Sequence, residues 1–359
     1  MGIRRLRVVV ASVGLIVVVG LLGACGGDDD GGGGKVESAK DARIVYSLYD
    51  RTAAYFRGCL DGMQAEAKKL GANLDVQLSG PDATAQIQQI KNAMVKQPDA
   101  IIVTPIDTKA LAAVTKEATD KGIPVFGVCD DIGANGKEAG ESRVSFVGPD
   151  QVLIGRKKAQ FIVDELDGRG RVGQFYGVRG VPFDLYTREG AAAVFKDAPG
   201  IDFREGPYAG EYSADAGLRA AQNLLTANPG LKGMICDNDD LCLGAVKALN
   251  ERNIAPEDIV VVSNDGIQPA IDAVERGDID YTQAFCGWNM GEVVMKQVVD
   301  LLVDGKAPPE LTIDEGRDIT RQNAANAEPV EKRCSDPALR VKKSEPKSEL
   351  IEQLDLGGD

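Results

Sequence analysis

From residue 43 onward, short β-branched apolar runs alternate with stretches whose apolar positions recur every three or four residues. The first kind predicts strands at 43–48, 73–78, 100–104 and 123–128. The second predicts helices at 54–70, 84–97 and 107–121, with Gly71 and Pro98 as stop signals for the first two. The runs Ile101-Ile102-Val103 and Val125-Phe126 are apolar without alternation, as strands covered on both faces require. The pattern then restarts. Helices are predicted at 150–166, 186–195, 213–227, 239–252, 267–276 and 290–304, and strands at 171–176, 232–236, 259–263 and 281–285. Two rounds of alternation predict an α/β chain built as two doubly wound parallel-sheet lobes joined by a hinge. The first lobe is expected at 42–148 plus about 286–311, and the second at 149–285 plus about 312–330. The charged segment 331–359 breaks the pattern and reads as a poorly ordered tail.

A different pattern precedes residue 42. Arg4, Arg5 and Arg7 are followed by an apolar run from 8 to 22 and by Gly23-Ala24. A basic start, a short apolar stretch and small residues predict a secretory signal peptide over 1–24. The run is short for a membrane span, which needs roughly 20 apolar residues. Leu22-Gly23-Ala24-Cys25 resembles the lipobox of bacterial lipoproteins. The resemblance implies acylation at Cys25, with residues 25–41 as a flexible Gly/Asp-rich tether. An extracytoplasmic, lipid-anchored protein is expected.

Composition narrows the chemistry. Net charge is −14 with no basic stripe to offset it, which argues against nucleic acid. There is no His, so Ser-His-Asp and Cys-His catalysis are excluded and the commonest metal ligand is missing. No CxxC occurs, and no metal or cofactor is expected. Six Cys follow Cys25: Cys59, Cys129, Cys236, Cys242, Cys286 and Cys334. Outside the cytoplasm they predict disulfides whose connectivity stays open, with Cys242–Cys286 as a guess. The GRGRVG stretch at 168–173 fits GxGxxG formally, but it leaves a helix and enters a strand, so it reads as a turn. The acids at 237–240 lack the Gly and distal Glu of a calcium loop.

In open α/β sheets ligands gather beyond the carboxyl ends of strands. Here those positions carry Asp50, Tyr55 and Phe56; Thr104 and Asp107; Asp130; and then Asn238, Asp239, Asn264 and Asp265. Carboxylates and amides engage sugar hydroxyls, and aromatic faces such as Tyr55, Phe56, Tyr212 and Trp288 pack on a sugar's C–H surface. Asp107, Asp150 and Asp239 open predicted helices, so each has N-capping as a competing role.

The stretch 43–316 resembles the substrate-binding lipoproteins of sugar ABC transporters, of the ribose- and galactose-binding type. The matching pieces are Tyr55-Phe56 with Gly62 and Glu66, DAIIVTPID (99–107), GIPVFGVCDD (122–131), QNLLTANP (222–229), CDNDDLCLGAVKAL (236–249) and VVVSNDG (260–266). The lactose-repressor family shares this core but begins with a DNA-binding helix-turn-helix. The resemblance implies a type I periplasmic-binding-protein fold and a cleft that closes on one small ligand. Ligand positions carried over are Phe56, Thr104, Asn238, Asn264 and Asp265, with Asp50, Asp150, Tyr212 and Arg188. Cys129 stands where the family usually has Asp, with Asp130 one position later. The expected function is capture of a monosaccharide or polyol by a monomer that hands it to a membrane permease, without catalysis. The open alternatives are a cationic ligand, a sensory role and, least favoured, a glycosidase with paired carboxylates.

Overall fold

The computed structural model describes residues 35–132, 140–327, 334, 341–346 and 354. The leader, Cys25 and the tether through residue 34 lie outside them. Strands β1 (Arg43–Leu48), β2 (Asn73–Leu78), β3 (Ala100–Val103), β4 (Val125–Val128) and β5 (Ser145–Pro149) alternate with helices α1 (Ala54–Leu70), α2 (Ala83–Val95) and α3 (Thr108–Asp120). The chain then crosses to a second sheet. Helices α4 (Gln151–Glu165), α5 (Pro182–Lys196), α6 (Ala214–Ala227), α7 (Asp239–Glu251) and α8 (Gln268–Arg276) alternate there with β6 (Gly170–Tyr176), β7 (Ile201–Tyr208), β8 (Gly233–Ile235), β9 (Val260–Asp265) and β10 (Tyr281–Ala284). Helix α9 (Gly287–Asp304) returns to the first sheet and leads into β11 (Leu311–Asp314). Strand β12 (Arg317–Thr320) crosses again, and β13 (Val341–Lys343) closes the series.

The first sheet has the order β13-β11-β5-β4-β3-β1-β2 and the second β12-β10-β9-β8-β6-β7. Pairing is parallel except at β13 on β11 and β12 on β10, which are antiparallel edges. Two open sheets with helices on both faces are the lobes expected from the alternation. Five strands passed unread, β12 and β13 among them. Strand β5 ends in Gly-Pro, β7 is a half-exposed edge strand, and β11 is short. Because β11 pairs with β5, residues 312–314 lie in the first sheet and not in the second as expected. The tail also departs from expectation. Val341–Lys343 pair with β11, which supplies an open edge of backbone groups, and Leu354 is buried. Among the described residues no helix is long and apolar enough to cross a membrane.

Disulfides join Cys236 to Cys242 and Cys286 to Cys334, so the Cys242–Cys286 guess is wrong. Cys242 lies in the first turn of α7, and its Cα is 5.2 Å from that of Cys236 at the end of β8. Cys286 caps α9, with its Cα 5.4 Å from that of Cys334. Cys59 and Cys129 are free and buried.

Each lobe is stiffened by helices packed backbone to backbone. A Cβ on Gly155 of α4 would lie 1.9 Å from the Thr187 carbonyl oxygen of α5, and one on Gly190 would lie 2.0 Å from that of Val152. Gly217 and Gly244 join α6 to α7 in the same way, and Gly62 and Gly291 join α1 to α9. Only hydrogen fits at such contacts, so a methyl group must push two helices apart. Gly244→Ala is therefore expected to destabilise the second lobe by about 1–3 kcal/mol or more in denaturant titrations. A loss under about 0.5 kcal/mol would contradict this packing.

Candidate functional site

The carboxyl ends of both sheets open on one cleft. Its walls carry Tyr55 and Phe56 from the start of α1, Cys129 and Asp130 after β4, and Pro149 at the end of β5. Opposite them stand Ile154, Phe183, Tyr212, Asn238 and Asp265, with Phe285 at a crossover between lobes. The cleft encloses about 400 Å³ of empty space counted out to its mouth, open solvent included.

Asp265 ends β9 with φ 112°, a backbone state that a non-glycine residue adopts only when its surroundings hold it there. Gly266 follows at φ 67°, and a Cβ there would lie 2.2 Å from that of Ala284. Asp265 accepts from the Asn264 amide at 2.8 Å and from the Asn238 amide at 3.2 Å. Asn238 also caps α7 by accepting from the Leu241 N–H at 3.1 Å. Burial raises the Asp265 carboxyl well above the ordinary range, and the nearby Asp239 and Asp240 raise it further.

Asp130 faces the cleft from the first lobe. Tyr49 donates to it at 3.0 Å, and Gln151 from the second lobe donates at 2.6 Å. Burial pushes its pKa up to about 7 despite these two bonds. Behind it, buried Arg143 forms a two-pronged ion pair with Asp131, at 2.5 and 2.7 Å. A second bond across the lobes runs from the Ala54 N–H to Asp240 at 3.3 Å.

The rings pack into a wall. Tyr49 meets Phe56 edge-on with centroids 5.3 Å apart, and Tyr55 lies 5.8 Å from Phe56. Tyr55 donates to the Met290 sulfur at 2.7 Å. The Tyr212 ring lies against Gly177, where a Cβ would come within 2.1 Å. Its buried hydroxyl has no partner of good geometry, although the Val178 amide is near.

A model described as a periplasmic binding protein domain matches residues 44–307. The chain belongs to the periplasmic binding protein family. The D-allose-binding periplasmic protein of Escherichia coli K12 is 31% identical over 252 residues, 69% of this chain and 80% of that protein. A xylitol-binding protein of Mycolicibacterium smegmatis is 27% identical over 276 residues, 75% of this chain and 74% of that one. The crystal structure of a periplasmic ribose ABC transporter protein from Conexibacter woesei superposes with TM-score 0.67 at 31% identity, covering 85% of this chain and 99% of that one. Two of these relatives are named for the sugar or polyol they bind and the third for ribose transport.

Within this binding protein, six of the twelve residues expected at the ligand line the cleft: Tyr55, Phe56, Asp130, Tyr212, Asn238 and Asp265. The other six have different places. Asp50 accepts from the Thr52 N–H and hydroxyl at 2.6 and 2.7 Å, a local turn. Thr104 is buried between Tyr46 and the Val128 carbonyl, at 2.8 and 3.0 Å, and ties strands together. Asp150 caps α4 through the Leu153 N–H. Asp239 is not the cap of α7, since Asn238 is. Its buried carboxyl instead accepts from Ser263, from Thr282 at 2.8 Å and from the Ile267 N–H at 2.9 Å, bracing the turn after Asp265. Asn264 stands behind the wall and aims its amide at Asp265. Arg188 pairs with Glu205 at 2.6 Å and lines a separate cavity. Trp288 is half-exposed on α9 and does not reach the cleft.

Sequence reading also passed over buried Lys158. It donates to Asn264 at 2.7 Å and to the carbonyls of Cys236 and Asp237 at 3.1 and 3.2 Å. Burial pulls its pKa down to about 8. A lysine in the middle of a helix carries no signal that its ammonium points inward. Phe183, Phe285, Pro149 and Ile154 were missed because apolar residues near strand ends look like core.

The Asp130 carboxyl has a sign worth testing. Its folded pKa of about 7 lies above the unfolded value of about 3.9. Its ionisation therefore costs no stability below the unfolded value, and the cost grows until pH passes about 7. Asp130→Asn lacks that cost, and Tyr49 can turn to accept from the new amide. The gain in Tm over wild type is expected to be larger at about pH 8 than at about pH 5. An equal gain at both pH values would show that burial does not raise this group.

Proposed function

We propose that this protein is the extracytoplasmic solute-binding component of an ABC transporter. It captures a monosaccharide or polyol between the lobes and passes it to a membrane permease, acting as a monomer. The observation that carries this reading is the convergence of Asp130 from one lobe with Asn238 and Asp265 from the other. They meet in a cleft walled by Tyr55, Phe56, Phe183 and Tyr212. Carboxyl and amide groups accept and donate to vicinal hydroxyls, and the rings cover the apolar faces between them. Among the described residues no basic side chain lines the cleft, which disfavours sugar phosphates and acids. Relatives named for D-allose and xylitol binding support the ligand class.

Micromolar affinity needs about −8 kcal/mol. Charge-assisted hydrogen bonds worth about 1.5–3 kcal/mol each, with ring packing, reach that after ordering costs. Calorimetry with D-allose, D-ribose and xylitol is expected to find one tight ligand, and Asp265→Ala is expected to weaken it at least ~10-fold. Undiminished affinity would remove Asp265 from the site, and heat from putrescine or arginine in place of the sugars would give the cleft to cations.

The lipid anchor belongs to the same reading. It is supported by Leu22-Gly23-Ala24-Cys25 after a basic and apolar leader. Metabolic labelling with palmitate is expected to mark the wild-type chain and not Cys25→Ser. Equal labelling of both would reject acylation at that residue.

A further inference from the structure

A second cavity lies in the second lobe, between α5 and the edge of the sheet formed by β6 and β7. It holds about 620 Å³ of empty space counted to its mouth and shares no lining residue with the cleft. Strand alternation places Val172, Gln174 and Tyr176 on the face of β6 toward α5. Val172 joins an apolar cluster with Ala191 and Phe195 on that helix. Gln174 interrupts the face. Its side chain is 1% exposed, and neither its amide nitrogen nor its oxygen has a partner. The Tyr176 hydroxyl, equally buried, has none either. A buried polar group without a partner is costly. Both residues line the cavity.

The rim sets the charge of what fits. Arg188 donates to Glu205 at 2.6 Å and to Tyr208 at 2.9 Å, and its guanidinium covers the Tyr176 ring at 4.8 Å. Its charge is already matched, and Glu189 adds another negative group, so an anion has nothing to meet. The Tyr176 ring face that a cation would use is already covered by Arg188. Phe203 and Leu185 supply apolar wall. A carboxamide with both ends unpaired is matched by a hydroxyl, which accepts and donates at once.

We propose that this cavity is a second binding site, outside the cleft, for a small neutral polyhydroxylated molecule. No residue of the cleft takes part, so failure here leaves the transport reading standing, and the reverse.

The test uses the full chain with the cleft disabled by Asp265→Ala and, as probes, glycerol, myo-inositol and D-ribose in ligand-observed NMR. Saturable millimolar binding of at least one probe is expected, and it is expected to vanish when Gln174→Leu is added. Ala192→Trp, on the exposed rim, serves as an independent plug and is expected to abolish the same signal, while in the chain that keeps Asp265 it leaves cleft affinity within about twofold. Absence of saturable binding in the Asp265→Ala chain would overturn the proposal and leave a water-filled cavity. Binding that survives both Gln174→Leu and Ala192→Trp would overturn it too.

Discussion

Asp130 is a buried acid and Asp265 a half-buried one at the cleft, and much of the surrounding structure holds them there. A buried carboxyl without partners is costly. Each therefore keeps donors of its own: Tyr49 and Gln151 for one, Asn238 and Asn264 for the other. Those donors are fixed in turn. Asn238 is pinned by capping α7, and Asn264 by the buried ammonium of Lys158. Asp239 secures the turn that follows. Burial raises the pKa of both acids, so a hydrogen bond donated by an incoming ligand's hydroxyl would favour the ionised form of each.

The βα alternation was legible because buried parallel strands and amphipathic helices write different periods into the chain. What escaped was marginal in the literal sense. Strand β7 lies on an edge, β12 and β13 are short antiparallel additions, and β5 carries Gly148-Pro149 where a turn is the natural reading. The tail joined the sheet because β11 leaves an open edge, a fact about assembled strands that no local composition encodes.

The cleft was half legible. Polar residues after strands do border the cleft, yet position alone does not say which way a side chain turns. Asp50 and Asp150 satisfy nearby backbone amides, and Thr104 and Asp239 satisfy strands and turns next door. Phe183 and Phe285, by contrast, line the cleft while looking like ordinary core. Cysteine pairing failed for a related reason: Cys236 and Cys242 meet across a single strand-to-helix turn, a closeness that depends on how that turn folds.

The crossovers between lobes carry a further implication. Gly316, at φ 63°, lies so near Phe285 that a Cβ would come within 2.5 Å of the ring. These two residues belong to separate connectors, one leaving β10 and the other leaving β11. Since the paired helices within each lobe leave little room to slide, bending is confined to the connectors, and two of them are meshed like teeth. A swing of either strand must drag its neighbour, which reduces the opening of the jaws to something close to a single degree of freedom.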